Sequence, residues 1–186
     1  IAADCGTNSR AEAEMLQEMG IDLIILDHHE PAVEGTAVCA ALVNPKLGDE
    51  FHYLCTAGVV FKIAHALMKT RPLTNFDLKS YLDIVALGTI ADIVPLEGEN
   101  RLFARRGLTQ LDRTIHPGLI ALKSVAGVSS PARTHDVGFK IGPRLNASGR
   151  LDTALASLRL LLCQDPAEAR ILAESLDQQN RDRQEL

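Results

Sequence analysis

The chain has 186 residues, 46% of them hydrophobic, 4% aromatic and 23% charged, enough apolar content to bury a core as one domain or one domain with a small appendage. Its 13 glycines and 8 prolines form no low-complexity tract or fixed-period repeat, and no uninterrupted apolar run is long enough to cross a bilayer, so collagenous, disordered and membrane-spanning classes are excluded. A net charge of −5 argues against a protein that coats nucleic acid through general basicity, although a local positive patch or a further domain could hold a polyanion.

Ile1 to Ala3 reads as the tail of a buried strand, followed by the turn-rich string D-C-G-T-N-S. Ser9 with Glu12 three residues later has the form of a capping box, Ala11, Met15, Leu16 and Met19 recur at helical spacing, and Gly20 stands where the helix should stop. The apolar run I-D-L-I-I-L that follows is short, β-branched and not alternating, which fits a central parallel strand, so strand, helix and strand form one βαβ unit. V-C-A-A-L-V before Asn44-Pro45 offers another short strand. Thr56 can cap a helix with the stripe Val59, Val60, Ile63, Ala64, Leu67 and Met68, and further helices are expected over 76–87, with Gly88 near the end, and over about 100–111.

From Pro117 onward no strand is expected. Asp165, Pro166 and Glu168 read as N-cap, N1 and N3 of a last helix, on which Ile171, Leu172, Leu176 and Gln179 share a side. The fold class is therefore α/β, a parallel sheet flanked by helices and followed by a mainly helical C-terminal part. Cys5, Cys39, Cys55 and Cys163 form no C-x-x-C pair, so reduced thiols and a cytoplasmic location are expected, with Cys5 packing at a strand end. An initial Ile1, with no signal peptide after it, and an uncapped helical end read as internal positions of a longer protein.

Asp4 follows the first strand and Asp27 the second, which puts both carboxylates at the edge where open α/β sheets bind ligands. His28, His29 and Glu30 come next, a run able to ligate a metal, position a phosphate or move protons; a turn capped by Asp27 with exposed histidines is the plain alternative. Asp92, between Ala91 and Ile93, should be partly buried and needs a partner, either backbone N–H groups before Pro95 or a hard cation such as manganese or magnesium. In G-P-R-L-N-A-S-G-R, Arg144, Asn146 and Arg150 could hold phosphate oxygens or be ordinary solvated turn residues.

Taken in order, D-C-G-T-N-S, L-D-H-H-E-P, V-N-P-K-L, A-L-G-T-I-A-D-I-V-P-L-E-G-E-N-R and G-P-R-L-N-A-S-G-R-L resemble the DHH phosphoesterases and, within them, the single-strand-specific DNA exonucleases of the RecJ branch. The resemblance runs over nearly the whole chain. It implies a Rossmann-like core and a two-metal phosphodiesterase using Mn2+ or Mg2+. Asp4 would bridge the metals, His28 and Asp92 would be further ligands, His29 would meet the substrate phosphate, Asp27 would orient the site, and Arg144, Asn146 and Arg150 would line the nucleic-acid path.

The family's acidic first motif has no counterpart after Ile1, so the fragment by itself is expected to hold at most one ion weakly and to lack useful nuclease activity. The resemblance also implies a division into a DHH core over 1–112, a helical remainder over 113–165 and a connector helix over 166–186. The implied partners are single-stranded DNA and other repair or replication proteins, with no membrane. A DHH hydrolase of short oligonucleotides or cyclic dinucleotides, or a non-catalytic replication scaffold, are the competing functions.

Overall fold

The structure, a computed structural model, describes residues 1–147 and 154–185. Three short strands, β1 (Ala2–Ala3), β2 (Ile24–Leu26) and β3 (Ala41–Val43), form a parallel sheet in that order, with Ala2 opposite Ile25 and Ile25 opposite Leu42. The helix α1 (Arg10–Glu18) makes the crossover between β1 and β2. The helices α2 (Thr56–Thr70), α3 (Leu82–Ala91) and α4 (Gly98–Asp112) follow β3, and then come α5 (Pro117–Val125), α6 (Thr134–Asp136), a π-helical stretch (Val137–Ile141), α7 (Gly142–Leu145), α8 (Leu155–Leu162) and α9 (Pro166–Glu185). No strand follows Pro117 among the described residues, and no helix among them is long and apolar enough to cross a membrane.

Alternate residues of β2 feed opposite layers, as strand geometry requires. Ile25 packs with Ala13 of α1 and Ala37, while Leu26 packs with Leu54, Val59, Val85 and Phe103 beneath α2, α3 and α4. The largest cluster is helical and runs from Leu87 through Leu111, Leu119, Ile141 and Leu160 to Leu176, so its side chains cross both expected divisions, at 112 and at 165. On α9 the covered face is Ala169, Ala173, Leu176 and Asn180, whereas Ile171 is exposed, a rotation of the expected side. Asp165 caps this helix as its sequence indicates, accepting from the N–H groups of Ala167 and Glu168.

Several local expectations are corrected. Helix α1 ends in a Schellman arrangement, with Gly20 at φ 69° and Ile21 N–H donating to Leu16 O, but Ser9 has ψ 63° and makes no side-chain cap, so the capping box is absent. Only Ala13 of α1 is buried; Met15 and Met19 face outward. Thr56 is the first residue of α2 and Cys55 its N-cap, while Val60 and Leu67 of the expected stripe are exposed. Cys5 is likewise exposed rather than packed.

Helix α3 begins later than its apolar pattern implies and runs through Gly88 to Ala91. Gly88 is there for packing: a Cβ would lie 2.7 Å from that of Ala57 on α2. Gly107 of α4 does the same against Leu82 O and the Ala86 Cβ of α3. Close backbone approach on two sides makes α3 a fixed strut, and its C-terminal end carries Asp92.

Candidate active site

The carboxyl edge of the sheet is fixed by ladder bonds that continue one residue past each strand. Asp4 N–H donates to Leu26 O at 2.9 Å and Asp27 N–H to Val43 O at 3.0 Å. Asp4 then turns at φ 66°, a left-handed conformation that Asp tolerates better than most residues, and its carboxylate is exposed. Asp92 is the C-cap of α3, and Ile93 occupies the following left-handed position at φ 57°, where glycine is usual. Asp92 is therefore exposed rather than partly buried, and strained backbone sits beside it.

His28 joins the two exposed acids. Its Nε2 lies 3.4 Å from Asp4 Oδ1 and its Nδ1 lies 3.4 Å from Asp92 Oδ2, with the ring itself mostly covered. Ligand atoms of Asp4, His28 and His29 all fall within 4.8 Å of one another, while Asp92 addresses the opposite ring nitrogen of His28.

Asp27 is 1% exposed and works inward. Its Oδ2 accepts from Thr7 N–H at 3.0 Å; its Oδ1 accepts from His28 N–H at 2.8 Å, His29 N–H at 3.3 Å and His29 Nδ1–H at 2.7 Å. Burial pushes its pKa upward, but these hydrogen bonds outweigh burial and hold the carboxyl far below the ordinary range, so it stays ionised. The same bond raises the pKa of His29, against a smaller opposing effect of burial and with help from the charges of Asp27, Asp4 and Asp92. Because a carboxylate only accepts, Nδ1 of His29 carries the hydrogen, leaving Nε2 as the atom of this half-exposed ring that can face a ligand.

The donor set fits a hard divalent cation. Two carboxylates, Asp4 and Asp92, and two imidazoles, His28 and His29, meet at one edge, and among the described residues neither Asp4 nor Asp92 has a Lys or Arg partner. Uncompensated carboxylates beside imidazole nitrogens are a mixed O/N set of the kind that holds manganese or magnesium.

The second expected group is more dispersed. Arg144 directs Nε to Asp177 Oδ1 at 2.8 Å and Nη1 to Lys140 O at 2.7 Å, so its guanidinium is engaged with α9 and its own helical segment. Asn146 is exposed at the end of α7, and Arg150 lies outside the described residues. A cleft of about 540 Å³ is lined by Ala91, the neighbour of Asp92, together with Asn146 and Arg183.

Buried polar residues that sequence reasoning passed over complete the site. Thr7 and Asn44 tie the strand-end loops together, and Asn100, 0% exposed, donates from Nδ2 to Tyr53 O at 2.6 Å and to Pro95 O at 3.0 Å, pinning the loop after Asp92. Only Asn44, directly after β3 and before Pro45, carried a local signal.

A family model described as the DHH family, N-terminal domain, matches residues 1–89. Over its whole length the chain is 43% identical to the single-stranded-DNA-specific exonuclease RecJ of Bacillus subtilis and 36% identical to that of Escherichia coli. The chain carries the DHH family's N-terminal domain over residues 1–89. This DHH chain spans 23% of the Bacillus relative and 34% of the Escherichia relative. The crystal structure of RecJ from Thermus thermophilus in complex with Mn2+ superposes with a TM-score of 0.88 at 36% identity, covering 98% of the DHH chain and 27% of that one. The Mg2+ complex from the same organism gives 0.72 at 29% identity, with 98% and 31% covered.

Proposed function

We propose that the complete protein is a RecJ-type exonuclease that hydrolyses single-stranded DNA from the five-prime end, with Mn2+ or Mg2+ as cofactor, in cytoplasmic DNA repair and recombination. The observation that carries this reading is His28 set between Asp4 and Asp92 at the carboxyl edge of the sheet. In it, Asp4, His28 and Asp92 would hold divalent metal, Asp4 facing Nε2 of the His28 ring and Asp92 facing Nδ1. A bound divalent cation would polarise the phosphoryl oxygens and make water acidic enough to act near neutral pH.

The chain's own residues do the rest. Asp27 fixes the His28 and His29 backbones and the His29 tautomer, and His29 presents Nε2–H, when protonated, to a phosphoryl oxygen as negative charge grows there. The segment carrying Arg144, Asn146 and Arg150 lines the strand path, with Asn146 beside the cleft at the end of α3. Two ions in the complete protein, and contacts with other repair or replication proteins, belong to the same proposal.

The test compares the complete protein and its His28→Ala variant on five-prime-labelled and three-prime-labelled single strands, on duplex DNA and on dinucleotides, with and without Mn2+. Release of mononucleotides from the five-prime end, dependent on both the metal and His28, supports the reading. Hydrolysis confined to dinucleotides, or unaffected by His28→Ala, overturns it.

A further inference from the structure

We infer that Asn44 is a positioning residue that acts on the reaction through His29, an inference that rests on the nuclease reading above. Asn44 is 7% exposed and follows β3 directly, as Asp4 follows β1 and Asp27 follows β2. Every polar atom of its side chain is used. Oδ1 accepts from Lys46 N–H at 2.9 Å, while Nδ2 donates one hydrogen to Thr7 Oγ1 at 3.0 Å and the other to the backbone carbonyl of His29 at 2.9 Å.

The amide therefore ties together the three loops that leave the three strands. Thr7 in turn donates its N–H to Asp27, and Asp27 grips His29 from the ring side. His29 is thus held at three points, its ring and backbone N–H by Asp27 and its carbonyl by Asn44, even though the ring is half-exposed. With the carbonyl tie gone, this part of the loop can move while the sheet beneath it remains. His28 is anchored separately, through its N–H on Asp27. Loss of Asn44 should therefore disturb the phosphate-facing histidine and leave cation binding in place. The two hydrogens of Nδ2 carry this role, because Oδ1 serves only the turn at Pro45–Leu47.

Asn44→Asp separates these parts, since it keeps the acceptor for Lys46 N–H and removes both donations. In the complete protein at saturating Mn2+, Asn44→Asp is expected to lower kcat about tenfold or more, the usual scale for a group that orients a functional histidine. Its Mn2+ titration midpoint should stay close to that of the parent, and the fall in melting temperature from the two lost buried hydrogen bonds should be the same with and without His29. In a His29→Ala background the same change should alter kcat less than about twofold, since the residue it acts through is gone. An equal loss of kcat in both backgrounds, or a loss that tracks weakened Mn2+ binding, overturns the inference.

Should Asn44→Asp fail to fold, Thr7→Val removes one of the two Nδ2 acceptors without touching Asn44 and enters the same cycle with the same expected pattern. His29→Ala also separates the two readings. Normal turnover without His29 removes the assigned role of that residue and this inference with it. Lost turnover in His29→Ala beside full turnover in Asn44→Asp overturns this inference alone.

Discussion

Asp27 holds His29 at both ends of a short path, accepting from its backbone N–H at 3.3 Å and from its ring Nδ1–H at 2.7 Å on the same oxygen. The other oxygen is spent on Thr7 N–H. One buried carboxylate thereby fixes the loop after β1 and the loop after β2, and converts the order of the strands into the placement of two imidazoles.

Replacing Asp27 by Ala leaves the buried Thr7 N–H without an acceptor and frees both histidine loops. A loss of about 2–4 kcal/mol in urea unfolding of the chain is expected, with Asn costing roughly half because one acceptor oxygen survives. An Ala variant as stable as the parent would mean that these bonds contribute nothing net.

Ile93 offers a change in the opposite direction. It is 87% exposed and β-branched, yet held at φ 57°. Strain of this kind costs about 1–3 kcal/mol, and glycine removes it at an entropic cost of about 0.5–1 kcal/mol. Ile93→Gly should therefore leave the melting temperature unchanged or raise it. A clear fall would show that the turn is not strained in solution.

The resemblance puts Arg144 at the nucleic-acid path, and its guanidinium meets Asp177, a carboxylate only 10% exposed that also meets Arg181 at 3.2 Å. Arg144→Ala should lower stability by about 1–3 kcal/mol in denaturant titration, because Asp177 keeps a single, more exposed partner. Asn146→Ala, at an exposed position, should be nearly neutral in the same measurement.

Asp136 gives a pH dependence with a defined sign. Its hydrogen bond from Lys140 Nζ lowers its pKa below 3.8, burial opposes this, and the Arg133 N–H and the charges of Lys140 and His135 add to the lowering. A carboxyl with a depressed folded pKa contributes stability above its unfolded value and loses it as pH falls through the folded one. The stability difference between the parent and Asp136→Asn should thus be full near pH 6 and shrink steadily below about pH 4. A difference that stays constant to the acid limit would rule this out.

Much of this arrangement is legible without coordinates. A strand, a helix and a second strand in parallel must bring the residues after the two strands to one edge, which places Asp4 beside Asp27 and the histidines on chain connectivity alone. The stop of α1 at Gly20 and the start of α9 at Asp165 are equally local, since both depend on backbone groups within one turn. The motifs in their order carried the family.

Tertiary packing decided the rest. Asp92 reaches His28 only because Gly88 and Gly107 let α3 press against α2 and α4, a fit that no periodicity describes. The same limit explains the outward Met15 and Met19, the rotated face of α9 and the pairing of Arg144 with Asp177. Helical spacing says which side chains share a stripe, whereas the neighbour that covers the stripe or claims a charge comes from distant sequence. Asn44 marks the boundary between the two. Its position before proline announces a turn, and only the convergence of three strand ends gives its amide two acceptors.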